Sequence, residues 1–239
     1  MRIDILTLFP EMFDGVLNQS IIKRAREKGH VEINVINFRT FADNKHQKVD
    51  DTPYGGGAGM VLTIQPLVSC LESIPNFKSA TKILTTPSGH TYNQNKAKSL
   101  SEKKHLIIIC GHYEGIDERI LNYIDEEISI GDYVLTGGEI AALAIIDSVI
   151  RLIPNVINKE SITEESFSDN LLEYPQYTKP YEYKGLKVPD VLISGNHEEI
   201  RKFRRFEALK KTYFRRPDLL EKAKLNNEDI NFLNKIKNE

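Results

Sequence analysis

The chain has 239 residues, 40% of them hydrophobic and 28% charged, with a formal net charge of −2. Such a chain suits one large domain, or a medium domain plus a small one, and can bury a core without covalent staples. Two cysteines, Cys70 and Cys110, exclude a disulfide framework. Both cysteines sit in apolar surroundings as expected of buried free thiols, which suits a reducing, cytoplasmic setting, and no apolar run approaches the roughly 18 residues of a membrane span.

Ile3 to Phe9 reads as a strand, without the long apolar core of a signal peptide. A helical stretch from Glu11 to Lys28 stops at Gly29. Val31, Ile33 and Val35 alternate with other residues as a second strand. After a Gly-rich loop, Thr63 to Leu71 is predicted helical, with Pro66 in its first turn where proline is tolerated. Lys82 to Thr85 is predicted as a strand ended by Pro87-Ser88-Gly89, and Asn93 to Lys104 as a polar helix. His105 to Cys110 is a continuous apolar strand, as expected when both sheet faces are covered. Glu126 to Ile130 is one more strand. Gly138 to Arg151 is a helix, apolar nearly all round, which must be buried in the core or against a second subunit.

This alternation predicts an α/β fold, a mostly parallel sheet with helices on both faces. Ligands of such sheets bind at the carboxyl ends of the strands. Here those are the loops after Thr85, Cys110 and Ile130.

Residues 155–175 carry Ser, Thr, Asn and Glu with few apolar anchors and read as a flexible linker. Beyond His197 the pattern is helical. Pro217 opens a second helix and Asn227 is placed to cap a third. We therefore divide the chain into a first domain at 1–157, a linker at 158–175 and a small helical domain at 176–239. Between Arg201 and Arg216 stand eight basic residues and one acidic residue. Clustered charge of this kind is the footprint of a phosphate-contacting face, or simply a solvated basic helix.

Four segments could carry chemistry. Gly55, Gly56, Gly57 and Gly59 would let a ligand approach backbone, but they match neither the dinucleotide nor the P-loop fingerprint. A nicotinamide-dependent enzyme is thereby disfavoured. Cys110 to Arg119 follows the buried strand. Its Asp117 and Glu118 suit a helix start, whereas Glu114 needs a further reason. Ser129 to Glu139 sets an apolar centre between glycines, suited to wrapping an adenine with backbone hydrogen bonds. Glu164, Glu165 and Asp169 are linker carboxylates that matter only if the linker folds over a site.

In order along the chain stand DILTLFPEMF, YGGGAGM, CGHYEGIDER, SIGDYVLTGGE, RLIPNVI, ESFSDNLLEYPQYTKP, GLKVPDVLISGNH and TYFRRPDLL. Together they resemble the bacterial tRNA (guanine-N1)-methyltransferases over essentially the whole chain. The resemblance implies a trefoil knot in the C-terminal part of the first domain, a homodimer whose active sites are each shared between subunits, and a small tRNA-binding domain. It also implies methyl transfer from S-adenosylmethionine to N1 of the guanosine just 3′ of the anticodon, tRNA position 37, in support of the reading frame. By position, the donor site would comprise Thr86 and Pro87, then Gly111, Tyr113, Glu114 and Gly115. It would continue with Ile130, Gly131, Asp132, Tyr133, Val134 and Leu135, and close with Gly137 and Gly138. Gly55, Gly57 and Gly59 would face the target guanine, and Arg204 and Arg205 the tRNA.

Guanine N1 carries a proton that a base must remove, and a cation helps the charge that develops on the guanine oxygen. The family's assisting arginine matches Arg151. Its base is an Asp, and the matching position here is Glu165; Asp169, four residues on, is the alternative. His112 stands where many relatives carry Arg. Dependence on Mg2+ is a family expectation, while the sequence shows no ligand cluster at fixed spacing.

Overall fold

In the computed structural model, which describes residues 1–158, 165–167 and 169–238, the chain forms two compact units, Met1–Asn158 and Lys159–Glu239. The first holds a five-stranded sheet of order β2-β1-β6-β5-β7, parallel throughout. Its strands are β1 (Arg2–Thr7), β2 (Glu32–Asn37), β5 (Thr81–Thr91), β6 (His105–Cys110) and β7 (Glu126–Ser129). A two-stranded ribbon, β3 (Asp50–Asp51) with β4 (Val61–Leu62), flanks the glycine-rich loop. The helices of this unit are α1 (Glu11–Leu17), α2 (Ser20–Glu27), α3 (Ile64–Ser73), α4 (Gln94–Ser101) and α5 (Glu139–Ile150).

Alternation within β6 explains why it is apolar at every position. Leu106, Ile108 and Cys110 point into the core shared with α1, α2 and α5, while Ile107 and Ile109 point into the core on the other face, with α3. Burial leaves both thiols protonated: it pushes Cys70 up to about 12 and Cys110 well above its ordinary value. Neither cysteine is expected to react with a disulfide reagent at pH 8 until the chain is unfolded. Fast labelling of native protein would contradict this packing.

Three local predictions are corrected. The stretch from Glu11 to Lys28 is two helices rather than one. Gln19 is extended and Ser20 takes a φ of +48°, while Arg26 caps the first helix by donating to the Leu17 carbonyl at 2.9 Å. The break lets Phe13, Leu17, Ile22 and Ala25 all reach the same core.

β5 does not end at Pro87-Ser88-Gly89. Thr85 and His90 both register with Ile128, so residues 86–89 are looped out and the strand resumes. A Cβ on Gly89 would lie 2.4 Å from the Ile128 nitrogen and 2.5 Å from the Glu127 carbonyl carbon. Gly89→Ala must therefore part β5 from β7. It should lower the melting temperature of the first unit by roughly 4–10 °C, from an overpacking cost of about 1–3 kcal/mol. An unchanged melt by calorimetry would refute the close approach.

The third correction concerns the helix expected to be capped by Asn227. Its N-cap is Asn226, which makes a capping box with Asp229.

The second unit contains a hairpin, β8 (Glu182–Tyr183) with β9 (Leu186–Lys187). Its helices are α6 (His197–Arg215), α7 (Pro217–Leu220) and α8 (Asn227–Lys237). Within the stretch read as linker, Leu171 is buried against Leu209, Leu233 and Ile236. The Leu172 N–H donates to Thr212 Oγ1 at 2.9 Å. That part of the stretch is core, because Leu171 and the Leu172 hydrogen bond anchor it. Glu164, Ser168 and the rest of 159–164 lie outside the described residues.

Candidate active site

At the carboxyl ends of β5, β6 and β7 lies a cavity of about 420 Å3. Thirteen of the fourteen positions assigned to the methyl donor line it: Thr86, Pro87, Gly111, Tyr113, Glu114, Gly115, Ile130, Gly131, Tyr133, Val134, Leu135, Gly137 and Gly138. Asp132 is exposed and is not among them.

Gly138 shows how tightly these loops are drawn together. A Cβ there would lie 2.1 Å from Thr85 Oγ1 and 3.0 Å from the Gly111 nitrogen. Its N–H donates to the Gly111 carbonyl at 2.8 Å. The loops after β6 and β7 thus share one wall, which only a residue without a side chain allows.

The glycine-rich loop is stitched to the same site. The Glu114 N–H donates to the Met60 carbonyl at 3.1 Å, and the Leu62 N–H to the Gly115 carbonyl at 2.9 Å. Gly59 has φ +79°, and a Cβ on it would meet Glu114 Cγ at 2.4 Å, so the Glu114 side chain packs against that glycine. Gly55 and Gly57 also hold positive φ on the exposed stretch beside Tyr54.

Two polar groups, one of them absent from the sequence reading, converge on one glycine of the cavity wall. Glu139 is buried, and Thr7 Oγ1 donates to its Oε1 at 2.8 Å. His112 packs between Phe9 and Tyr113, and its Nδ1 is buried without a hydrogen-bond partner among the described residues. A Cβ on Gly137 would be 2.3 Å from Glu139 Oε2 and 2.6 Å from His112 Nδ1, so both atoms face that glycine. In sequence Glu139 is only the last residue of the Ser129–Glu139 motif; burial is what distinguishes it. Arg151 follows the last residue of α5.

Glu165 and Asp169 lie in the second unit. Both line a cavity of about 320 Å3 that Arg201, Arg204 and Arg205 also border. Asp169 is exposed, 3.8 Å from Arg205.

The basic stretch is less free than its sequence suggests. Arg201 pairs with Glu198 and Glu228, Lys202 with Glu199, and Arg216 with Asp218. Arg205 makes a two-pronged bond to buried Asp229, at 2.8 Å for each prong. Among its aromatic residues, Phe206 and Tyr213 pack on the small core, while Phe214 is exposed.

A parallel sheet covered on both faces, with a glycine-walled cavity at its strand ends, defines an α/β protein with a ligand-sized cavity where such folds hold their ligands. The family model for tRNA (Guanine-1)-methyltransferase TrmD matches residues 1–222. A tRNA (guanine-N(1)-)-methyltransferase of Dictyoglomus turgidum is 56% identical over 240 residues, covering 100% of this chain and 98% of that relative. Those of Halalkalibacterium halodurans and Carboxydothermus hydrogenoformans are 55% and 58% identical. They cover 99% and 96% of this chain, and 98% and 91% of the respective relatives. The chain belongs to the tRNA (guanine-1)-methyltransferase TrmD family.

Proposed function

We propose that this chain is a tRNA methyltransferase that uses S-adenosylmethionine to convert the guanosine at tRNA position 37 to 1-methylguanosine, in the cytoplasm, and so helps hold the reading frame. The observation that carries the reading is the single cavity lined by thirteen of the fourteen expected donor-site positions, in a chain whose relatives match it end to end.

The cavity fits such a donor. Its walls are loops whose close approach at Gly137 and Gly138 a side chain would prevent, leaving backbone on hand for an adenine edge. When bound, S-adenosylmethionine supplies a methyl group on a sulfonium that a nitrogen nucleophile can take. Ile130 to Leu135 would hold the adenine, and Tyr113 and Gly115 would border the remainder.

Glu165 removes the proton from guanine N1, raising the electron density of that nitrogen. Arg151 offsets the negative charge that grows on the guanine oxygen. Arg204 contributes a cation to the tRNA-binding surface; Arg205, committed to Asp229, supports that surface from behind. No step is assigned to Mg2+: among the described residues, no group of three or more His, Cys, Asp or Glu stands together.

The reading also includes a trefoil knot formed by the C-terminal part of the first unit, which rests on the family the chain belongs to. It includes a homodimer with shared active sites as well. Ile140 is half-exposed on a face of α5 that also leaves Ala144 exposed and Leu143 partly buried, an apolar contact for it.

Labelled S-adenosylmethionine and two unmodified tRNA transcripts test the activity. One carries guanosines at positions 36 and 37; the other has adenosine at 37. Incorporation into the first alone is expected. Incorporation into neither, with donor binding intact, would leave an RNA-binding protein without this catalysis.

A further inference from the structure

A second cavity in the helical unit, of about 420 Å3, has no place in the reaction above. Its walls include Tyr174, Tyr177, Tyr181 and Ile193, with Lys179 and Arg204 supplying positive charge and no acidic residue among the lining. We propose that it is a stacking pocket for one unpaired nucleobase of the bound tRNA, distinct from the base that is methylated. The inference rests on the proposed function, since it takes tRNA as the substrate.

Three observations carry it. First, Tyr177 and Tyr181 are 46% and 42% exposed and Ile193 is 63% exposed. The small core of this unit is built on Leu171, Leu209, Leu233 and Ile236 instead. Large apolar faces left outside so small a core are faces for a partner. Rings held at a cavity wall offer every base a π-face with little ordering cost. The Tyr181 hydroxyl donates to Asp190 Oδ1 at 2.7 Å, which fixes that ring's direction.

Second, the positive charge is placed for an anion beside the rings. Arg204 lies over the Tyr174 ring at 4.9 Å, and its Nε is buried without a hydrogen-bond partner among the described residues. A nucleotide brings both features these walls match: a flat ring and a phosphate. An aromatic-lined cleft for a proline-rich peptide would use the rings, but would leave Lys179 and Arg204 unanswered.

Third, Arg204 also borders the cavity that contains Glu165 and Asp169. The Arg204–Tyr174 stack therefore stands between the cavity of Glu165, proposed to act on the target guanine, and the tyrosine pocket. A loop that delivers one base to the first side has a neighbouring base to deliver to the second. The volume is at the low end of the roughly 300–1,000 Å3 common for small-ligand pockets, which suits one nucleoside rather than a strand.

The test uses the full chain and an unmodified tRNA transcript. Tyr177→Ala should weaken tRNA binding about tenfold, as expected for the loss of one base stack. The slope of affinity against salt should be unchanged, because no phosphate contact is removed. Tyr177→Phe should bind as the unaltered protein does. A thermal melt and donor titration of each variant check that the fold is kept. In parallel, tRNA carrying scattered 4-thiouridine is photocrosslinked to the unaltered protein. A crosslink within residues 174–181 is expected.

If Tyr177→Ala binds tRNA as tightly as the unaltered protein and no crosslink falls in 174–181, the pocket holds no base and a peptide becomes the better occupant. If the unaltered protein itself neither binds nor methylates tRNA, the proposed function falls and takes the pocket with it.

Discussion

Glu165→Gln is expected to slow single-turnover methyl transfer to the position-37 guanosine by about 10²–10⁴-fold, the usual contribution of a positioned general base. Glutamine keeps the shape and the hydrogen-bonding reach of the side chain but cannot accept the N1 proton. Donor affinity should stay unchanged, since the donor cavity belongs to the first unit and Glu165 to the second. Glu165→Asp should keep most of the rate, because the carboxylate survives on a stem one methylene shorter. Asp169→Asn should have a much smaller effect, as that carboxylate is exposed beside Arg205. Rapid-quench measurements at saturating donor decide the matter. A near-normal rate for Glu165→Gln together with a collapse for Asp169→Asn would transfer the role to Asp169.

Arg205→Ala should destabilise the helical unit by about 3 kcal/mol, the low end for breaking a buried pair, since the arginine is itself partly exposed. Asp229 is fully buried. Burial alone would push its carboxyl up, but Arg205 and the Asn226 N–H outweigh that and hold it below the ordinary carboxylate range. Truncation leaves the charge without its main partner. Because the folded carboxyl titrates below the unfolded one, the pair contributes fully above the unfolded value and is lost as pH falls through the folded one. The gap between Arg205→Ala and the unaltered protein should therefore shrink below about pH 4. Adding Asp229→Asn to Arg205→Ala removes the orphaned charge and keeps the helix cap, so the double variant should be the more stable of the two. Denaturant melts that rank them the other way would discard the pair as the cause. The same argument bears on tRNA binding. A loss of affinity in Arg205→Ala at a temperature where the helical unit has melted says nothing about a phosphate contact, whereas Arg204 has no such carboxylate tie among the described residues.

The local periodicities could be read directly wherever one interaction dominates. His105 to Cys110 is apolar at every position because both faces of β6 are covered, and the strand occupies those six residues. Pro217 opens α7 because a helix's first residue needs no N–H partner. The three loops of the donor cavity follow from strand order alone, since parallel strands put all their carboxyl ends on one edge. The motifs carried the family, because their order along the chain is a one-dimensional property.

What could not be read is whatever depends on a partner distant in sequence. Leu171 sits in a polar stretch, and its burial is decided by Leu209, Leu233 and Ile236 on helices that follow much later. Glu139 is in sequence only the last residue of a glycine-flanked motif, and it is Thr7, 132 residues earlier, that places a hydroxyl 2.8 Å from it. Pro87-Ser88-Gly89 has the composition of a strand end, yet β7 offers hydrogen bonds on its far side and the strand resumes. Arg205 reads as one cation among eight, and only the packing of α8 against α6 brings buried Asp229 to it. Propensity and pattern act over a few residues; desolvation and charge pairing act on whatever the fold brings within a few ångströms. The family and the elements ruled by one local interaction were therefore determined by the sequence by itself, and the resumption of β5, the burial of Leu171 and the partners of individual charged residues only by the tertiary structure.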